Sequence, residues 1–567
     1  MKFRASYLLA FLLPVAAILQ LTSAARMSPT VDETHYVGVG RYLWETGDWS
    51  MKGAKLHPPL SYYLNSIPLA RLDVPEDVWR APHQDERGRR LFALAPAGRV
   101  VNLARAPTIL ITALLLLLVF VETRRLFGGR AAALALFLAA LEPNLLAHGS
   151  LATQDMVLTL TLFLAVVLFR RCREKPGAGR LLLAGAALGA ALLSKYTGLL
   201  LVGILPAAAL LDRGGKRALA ALLPLAAVAL IVVHAGYLPL HLRAPEEAPR
   251  AGMGVLPAPY AEGIEYQRGA NTGYPAFFFG RVSDRGWRAY YPVAFLVKTP
   301  IPFLLLAGAG ALGILRRRDR SSIAWLLLPP LLLALFFVLV SRINIGLRYL
   351  LPVYPFLAVL GGSAAAGALK RRRKIVLLLL AAWLAAGTAI AWPHYLSYFN
   401  EACGGTRGGS RILSDSNLDW GQDLPGLARF LDERGDPVVY LSYFGTAEPH
   451  RYGIRYRWLS GWLYHPPREI LEGGARLRPD PDWVAVSRMV LHGVRLPDPE
   501  MFRWLEKYPV VAEIGGSIVV FDLGGDPDAH LRFADIYRRS ARRDYMEEEM
   551  RRVAQEEAPG RPRGRGR

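Results

Sequence analysis

Pro107-Thr108-Ile109-Leu110-Ile111-Thr112-Ala113-Leu114-Leu115-Leu116-Leu117-Leu118-Val119-Phe120-Val121 contains no charge and ends just before Arg124-Arg125 and Arg130. An apolar run of this kind, closed by a basic cluster, reads as a membrane helix with its basic end in the cytoplasm. The pattern recurs. Further apolar runs lie at 7–25, 131–147, 155–170, 181–194, 197–211, 218–237, 299–315, 322–340, 347–367 and 375–392, which makes eleven segments in all. Some are shorter than the roughly 20 residues a straight span needs, so tilted or re-entrant pieces are expected. The chain therefore reads as a polytopic α-helical membrane protein of about eleven transmembrane helices.

Composition agrees. Of 567 residues, 53% are hydrophobic, and the formal net charge is +22. In a soluble chain that charge would point to nucleic acid. Here many of the basic residues sit in short clusters between apolar runs, as cytoplasmic loops do, so no nucleic-acid partner is expected.

The clusters Arg124-Arg125, Arg170-Arg171 with Arg173 and Lys175, Arg213 with Lys216-Arg217, Arg316-Arg317-Arg318 with Arg320, and Lys370-Arg371-Arg372-Arg373-Lys374 all fall on one side of this layout. Lys2 and Arg4 put the N-terminus on that side too, and segment 7–25 reads as a retained anchor rather than a cleaved signal. The layout requires a hairpin at Ser194-Lys195-Tyr196-Thr197-Gly198, which places Lys195 at the outer face. It also leaves three pieces outside: loop 26–106, loop 238–298, and everything from 393 onward. Cys172 and Cys403 then lie on opposite sides of the membrane, so no disulfide joins them, and no zinc spacing is present. The β-rich runs at 438–441, 483–486 and 518–521, separated by helical patterns such as 423–433, predict a small α/β domain over 393–545. Residues 546–567 are expected to form a basic, disordered tail.

The outer surface carries the candidate chemistry. Asp32-Glu33 follows the first helix, and adjacent carboxylates at a membrane mouth are costly to hold near lipid unless they serve a purpose. Asp155 stands at the outer end of segment 155–170, as a helix cap or as an orienting group. Lys52, Lys55, His57, Lys195, Lys298, Arg342 and Arg348 are candidate cations for a leaving phosphate, each also readable as a headgroup anchor. Tyr36, Tyr42, Trp44, Trp49, Tyr62 and Tyr63 in loop 26–106 read as an aromatic interface belt or an interfacial helix. A group-transfer enzyme needs a base for the acceptor's proton and cations for the leaving phosphate. A transporter or flippase is the rival class. It would place charges near the midplane, often in two related halves, whereas these charges gather at one surface and no repeat is visible. A non-catalytic scaffold is a second rival, against which the Asp32-Glu33 pair counts.

These residues carry a resemblance to the family 39 glycosyltransferases of the GT-C fold, which include protein O-mannosyltransferases and lipid A aminoarabinose transferases. Asp32-Glu33 matches the family's acidic motif, and His57-Pro58-Pro59-Leu60 is similar to its Pro-Pro motif, where relatives often carry Lys at the first position. Thr153-Gln154-Asp155-Met156 resembles a Thr-Asp-Met stretch with Gln154 as an insertion. The stretches 194–198, 344–352 and 415–423 are also similar, and the resemblance covers most of residues 1–450. It implies inverting transfer of a sugar from a polyprenyl-phosphate carrier to a protein, lipid or glycan acceptor on the periplasmic side of a bacterial inner membrane. Asp32 would be the base and Glu33 would shape the site, both entering as catalytic candidates. Basic residues would hold the phosphate, and no metal or other cofactor is implied.

Overall fold

The computed structural model describes residues 5–81, 83–212, 220–238, 255–367, 370–462, 468–473 and 478–556. The basic cluster at 213–217, the start of loop 238–298 and the end of the tail lie outside the described residues.

The run at 107–121 becomes the middle of a longer helix, Arg99–Phe127. The helix starts well before Pro107, so the first external loop is shorter than 26–106, and Arg105 is drawn into the bundle, where none of its side chain is exposed. Among the described residues, Ala5–Ala24, Arg99–Phe127, Arg320–Leu339 and Arg371–Ala391 are long and apolar enough to cross a membrane. Two further runs are bent pairs: Gly129–Ala140 with Pro143–Gly149 at 61°, and Tyr290–Lys298 with Ile301–Arg317 at 110°. Prolines stand at or beside both breaks, where a missing N–H and a fixed φ interrupt the ladder. Ala178–Ser194, Tyr196–Leu211 and Leu222–Gly236 are shorter apolar helices. Eleven apolar runs thus do not become eleven straight spans. The run at 347–367 departs furthest: it is a buried 3-10 turn, Leu347–Val353, leading into the short helix Tyr354–Ser363.

The hairpin at 194–198 forms. Lys195 has extended backbone between two helical segments, and Gly198 folds back so closely that a Cβ there would stand 2.4 Å from the Ala191 carbonyl oxygen. Lys195 is buried at this turn. The helix Asp155–Glu174 separates two charged regions by about 30 Å, from 20 residues at ~1.5 Å each. Asp155 begins it. Arg170 and Arg171 near its other end meet Glu122, and Arg173 meets Asp212.

The segment between Ala24 and Arg99 is mostly helical. Val31–Thr46 carries Asp32, and Leu60–Ser66 and Gln84–Ala93 pack against it. Glycine permits both contacts. A Cβ on Gly40 would lie 2.2 Å from the Tyr62 carbonyl oxygen, and one on Gly38 would lie 2.6 Å from the Gly88 Cα. Tyr36, Trp49 and Tyr62 are buried here. They form a core rather than the expected belt, with Tyr36 and Tyr62 ring centroids 5.9 Å apart.

Outside the bundle, β1 (Ala276–Phe278) and β2 (Arg281–Ser283) form a small antiparallel pair. The C-terminal region builds a mixed sheet from β3 (Val439–Ser442), β4 (Tyr456–Trp458), β5 (Trp483–Ser487), β6 (Val510–Ile514) and β7 (Ile518–Asp522), in the order β4-β3-β5-β7-β6. Strands β3 to β5 pair in parallel, and β5, β7 and β6 are antiparallel neighbours. The helix Leu424–Asp432 packs its apolar face on this sheet.

The expectation of a disordered tail over 546–567 does not hold for 546–556, and 557–567 lie outside the described residues. Arg543–Glu556 is a helix docked on Pro527–Arg539. Glu549 is fully buried, accepting from Tyr440 at 2.9 Å, from Arg457 at 3.1 Å and from His530 at 2.8 Å. Its charge-rich composition hides an inward face of Tyr545, Glu549, Arg552 and Val553. A chain ending at Arg542 leaves Arg457 and His530 without their buried carboxylate. Its thermal midpoint in detergent should fall by several degrees, and an unchanged midpoint would mean that the helix contributes nothing.

Candidate active site

Asp32 and Glu33 are sequence neighbours with opposite surroundings, because successive side chains on a helix point about 100° apart. The Glu33 side chain has no exposed surface. Its Oε1 accepts from Arg105 Nε and from the Ala152 amide, both at 2.8 Å. Its Oε2 accepts from the second Arg105 nitrogen at 2.7 Å and from the Thr30 amide at 2.9 Å. The last contact is half of a capping box that begins the helix. Arg105 also donates to the carbonyls of Ala24, Met27 and Ser28. Glu33 therefore ties the start of its helix to Arg99–Phe127 and to the turn before Asp155. All its lone pairs are engaged, so it positions the site and has no free atom for the reaction.

Asp32 keeps 24% of its side chain exposed. Its Oδ2 accepts from Arg348 at 2.7 Å and from the Tyr36 hydroxyl at 3.0 Å. Its Oδ1 has no hydrogen bond among the described residues. Burial favours the neutral acid, but the charge and hydrogen bond of Arg348, with the hydrogen bond of Tyr36, outweigh it and hold Asp32 below the usual carboxylate value.

Around Asp32 the structure gathers residues from separated parts of the chain. Arg348 also lies 3.7 Å from Asp155, and Asp155 accepts from Lys195 Nζ at 2.7 Å. Lys195 sits 4.0 Å over the Tyr349 ring, and Arg348 sits 4.4 Å over the Trp420 ring. The site is thus an alternating set of two carboxylates and two cations, each from a helix start or a break. Asp155 does more than cap its own helix, since it holds both cations.

His57 completes one edge but not as a cation. Burial, then the nearby charge of Lys195, pushes it down to about 3, so it is neutral at physiological pH. Gln154 Nε2 donates to His57 Nε2 at 3.1 Å and to the Tyr36 hydroxyl at 3.0 Å. Gln154, the apparent insertion, is the residue that joins His57 to Tyr36.

The remaining candidates lie elsewhere. Lys55 pairs with Glu262 and so joins the first external loop to the helix Ala258–Ala270. Lys298 is buried, donating to the carbonyls of Leu396 at 2.7 Å and Asn417 at 2.6 Å, which makes it a staple beneath the site. Arg342 is exposed, and its amide donates to Asn271. The Lys52 side chain lies outside the described residues.

The segment 415–423 supports the site from below. Asn417 Oδ1 accepts from the Leu347 amide at 2.9 Å, and Ser416 Oγ donates to the Ile345 carbonyl, which together fix the turn carrying Arg348. The Trp420 and Gln422 carbonyls accept from the Val31 and Ser28 amides, so the same segment fixes the approach to Asp32. Asp415 sits close by with φ +56°, and burial pushes its carboxyl up to about 7. Arg105, Tyr36, Gln154, Asp415 and Trp420 were missed as site or support residues. Only the motif stretches containing Gln154, Asp415 and Trp420 offered a signal. Among the described residues no group of three or more His, Cys, Asp or Glu could hold a metal ion.

A stability contrast tests these assignments. Glu33→Gln and Arg105→Met should each cost about 3–5 kcal/mol by stranding a buried charge. Asp32→Asn should stay close to wild type in thermal unfolding. A Glu33→Gln protein as stable as wild type would contradict the assignment.

Residues 92–237 match the model of a family described as dolichyl-phosphate-mannose-protein mannosyltransferase. That stretch contains Arg105, Gln154, Asp155 and Lys195. Among solved structures, ArnT from Cupriavidus metallidurans bound to undecaprenyl phosphate is 17% identical with a TM-score of 0.47, covering 90% of this chain and 97% of that one. The S. cerevisiae protein O-mannosyltransferase Pmt1-Pmt2 complex bound to the sugar donor is 21% identical with a TM-score of 0.33, over 44% of this chain and 35% of that one. The oligosaccharyltransferase AglB from Archaeoglobus fulgidus, in complex with an inhibitory peptide and a dolichol-phosphate, is 15% identical with a TM-score of 0.44, over 85% of this chain and 69% of that one. No curated protein matches the chain. Over residues 92–237 the chain is thus similar to the dolichyl-phosphate-mannose-protein mannosyltransferase family.

Proposed function

We propose that the chain is an inverting glycosyltransferase of the GT-C type, moving a sugar from a polyprenyl-phosphate carrier to a hydroxyl or amine of a protein, lipid or glycan acceptor. The reaction takes place at the outer face of a bacterial inner membrane, with the N-terminus cytoplasmic and the C-terminal sheet periplasmic. One observation carries this reading. Asp32 is held ionised by Arg348 and Tyr36 and keeps one carboxylate oxygen open, beside a second carboxylate–cation pair, in a chain with a lipid-phosphate-sugar transferase family match.

The chemistry follows from the contacts. The acceptor oxygen or nitrogen attacks the anomeric carbon while Asp32 takes its proton on Oδ1. The bond from the anomeric carbon to the phosphate oxygen breaks, and its electron pair leaves on the carrier phosphate. Attack opposite the leaving group inverts the anomeric configuration. As Asp32 is neutralised, Arg348 loses part of its charge partner just when the phosphate gains charge, so its field turns toward the leaving group. Lys195 and Arg348 are the cations that meet the phosphate, while Asp155 keeps them oriented. Positive charge developing on the sugar ring is stabilised by Asp32 before it is protonated.

An apolar cavity of about 460 Å³ gives the carrier's tail a place. Leu350 and Val353, which line it, stand on the same turn as Arg348, and Leu304, Ala307, Pro330 and Leu357 extend it along the bundle. An isoprenoid chain is bound by apolar burial alone, and this cavity offers it beside a phosphate site.

The test is sugar transfer in proteoliposomes from a polyprenyl-phosphate sugar to a panel of acceptors. Asp32→Asn, still folded, should lower transfer about 10²–10⁴-fold, the usual worth of a positioned base. Because Arg348 lowers the Asp32 pKa, the base stays ionised as pH falls, so protonation of Asp32 should not limit wild-type transfer between about pH 5 and 7. Equal transfer by Asp32→Asn and wild type would remove Asp32 from the mechanism. Transport of intact carrier without transfer would favour a flippase.

A further inference from the structure

Two adjoining cavities lie apart from the Asp32 cluster, and the proposed transfer uses neither. The first, of about 530 Å³, stands at the end of the helix Arg371–Ala391. Gly387, Ile390 and Ala391 of that helix line it, with Tyr398 and Phe399 beyond them. The helix is long and apolar enough to cross a membrane. Ile390 is 85% exposed, and Trp392 just after it is exposed as well. This end therefore offers lipid an apolar side chain and an aromatic of the kind that marks a membrane–water interface. The second cavity, of about 670 Å³, is walled by residues of β6, β7 and the β1–β2 hairpin. Arg407 and Glu513 line both cavities and pair at 3.3 Å. The two cavities thus form one groove, running from the face of a membrane helix to the C-terminal sheet.

Its two ends differ in chemistry. The second cavity is lined by four arginines, Arg407, Arg411, Arg488 and Arg503, against two carboxylates, Glu506 and Glu513. Glu513 is shared, since Arg488 also pairs with it at 3.0 Å. Arg503 pairs with Glu500, outside the lining, at 2.6 Å. Arg411 is exposed and has no ion pair among the described residues. Arg407 keeps 82% of its side chain exposed in spite of its pair. At the membrane end the polar groups are engaged: Glu401 accepts from Trp383 Nε1 at 3.2 Å, and His394 meets Asp423 at 3.2 Å. The positive surplus therefore lies at the sheet end and the apolar surface at the helix end. A soluble anion would use the arginines and ignore the helix face. A neutral lipid would use the helix face and leave the arginines unmatched. A volume of 670 Å³ is that of a small-molecule site, so there is room for a polyol or sugar beside a phosphate.

We propose that this groove binds a membrane lipid with a phosphate-bearing head of net negative charge. Its acyl chain lies along Gly387 and Ile390, and its head enters the arginine-lined cavity, where Arg407 and Arg411 meet the phosphate. The bound lipid then ties the C-terminal sheet to the membrane helix. This site does not rest on the glycosyltransferase reading, and no covalent bond changes in it.

The experiment is native mass spectrometry of the full chain in detergent, titrated with phosphatidylglycerol and with phosphatidylcholine, with soluble glycerol phosphate as competitor. Thermal unfolding is the fold control. Two variants separate head from tail. Arg407→Ala with Arg411→Ala removes two exposed arginines. Gly387→Leu fills the helix end, where a Cβ meets only Glu401 Oε1, at an ordinary 3.5 Å. Wild type should bind phosphatidylglycerol more tightly than phosphatidylcholine. The double variant should lose roughly 10- to 30-fold in affinity for phosphatidylglycerol and keep its affinity for phosphatidylcholine, since each arginine near an anionic lipid is worth about one factor of five. Gly387→Leu, still folded, should weaken phosphatidylglycerol binding several-fold, and glycerol phosphate should not displace the lipid. Equal binding of the two lipids by wild type, or a folded double variant that binds phosphatidylglycerol as wild type does, would overturn the proposal. Full affinity in Gly387→Leu would overturn the placement of the chain. Displacement by glycerol phosphate would make the groove a soluble-anion site and overturn the assignment to a lipid.

Discussion

The buried ion pair between Glu33 and Arg105 is the contact on which the site depends. Both side chains are fully enclosed, so they are affordable only because nearly every donor and lone pair is used. The pair fixes where the Val31–Thr46 helix begins and how it is rotated. Helix geometry then turns Asp32 away from Glu33 and toward Arg348. One carboxylate is committed to structure, and its neighbour stays partly exposed with one oxygen open. An error of one residue in the start of this helix would exchange their surroundings.

The second constraint is electrostatic. Asp32, Asp155, Lys195 and Arg348 come from four separated parts of the chain, and each stands at a helix start, a hairpin or a broken run. Backbone that leaves the helical ladder within a bundle needs other partners, and here side chains provide them. Asn417 and Ser416 hold the Arg348 turn, and Lys298 holds Asn417. The irregular segments are therefore not failures of the membrane fold. They are the places where polar atoms can meet in an otherwise apolar interior, and the alternation of charge lets four ionised groups share it.

Much of this was legible because strong physical signals are local. Apolar runs with basic ends located the long apolar helices, though not their breaks, and the strands β3, β5 and β7 stood where β-branched and aromatic residues cluster. Asp32, Asp155, Lys195 and Arg348 are charges beside apolar runs, and such charges are rare enough to draw notice. What escaped has physical reasons. Arg105 seemed to lie in a loop because the uncharged run starts at Pro107, and a buried arginine leaves no periodic trace. His57 looked like a cation because sequence does not report burial. Lys298 and Arg342 are candidates by their side of the membrane layout, and sidedness does not give lateral position. The helix Arg543–Glu556 looked solvated because its inward face contains Glu549 and Arg552, charges that only tertiary pairing makes compatible with burial.

In the proposed reaction the charge cluster at Asp32 is where the carrier phosphate meets the sugar acceptor. The most direct measurement is a cryo-EM structure of the protein in nanodiscs with polyprenyl phosphate bound. Phosphate density is expected within hydrogen-bond distance of Arg348 and Lys195, with the tail running past Leu350 toward Leu357. Phosphate density at Lys298 or Arg342, with the Asp32 cluster undisturbed and unoccupied, would contradict it.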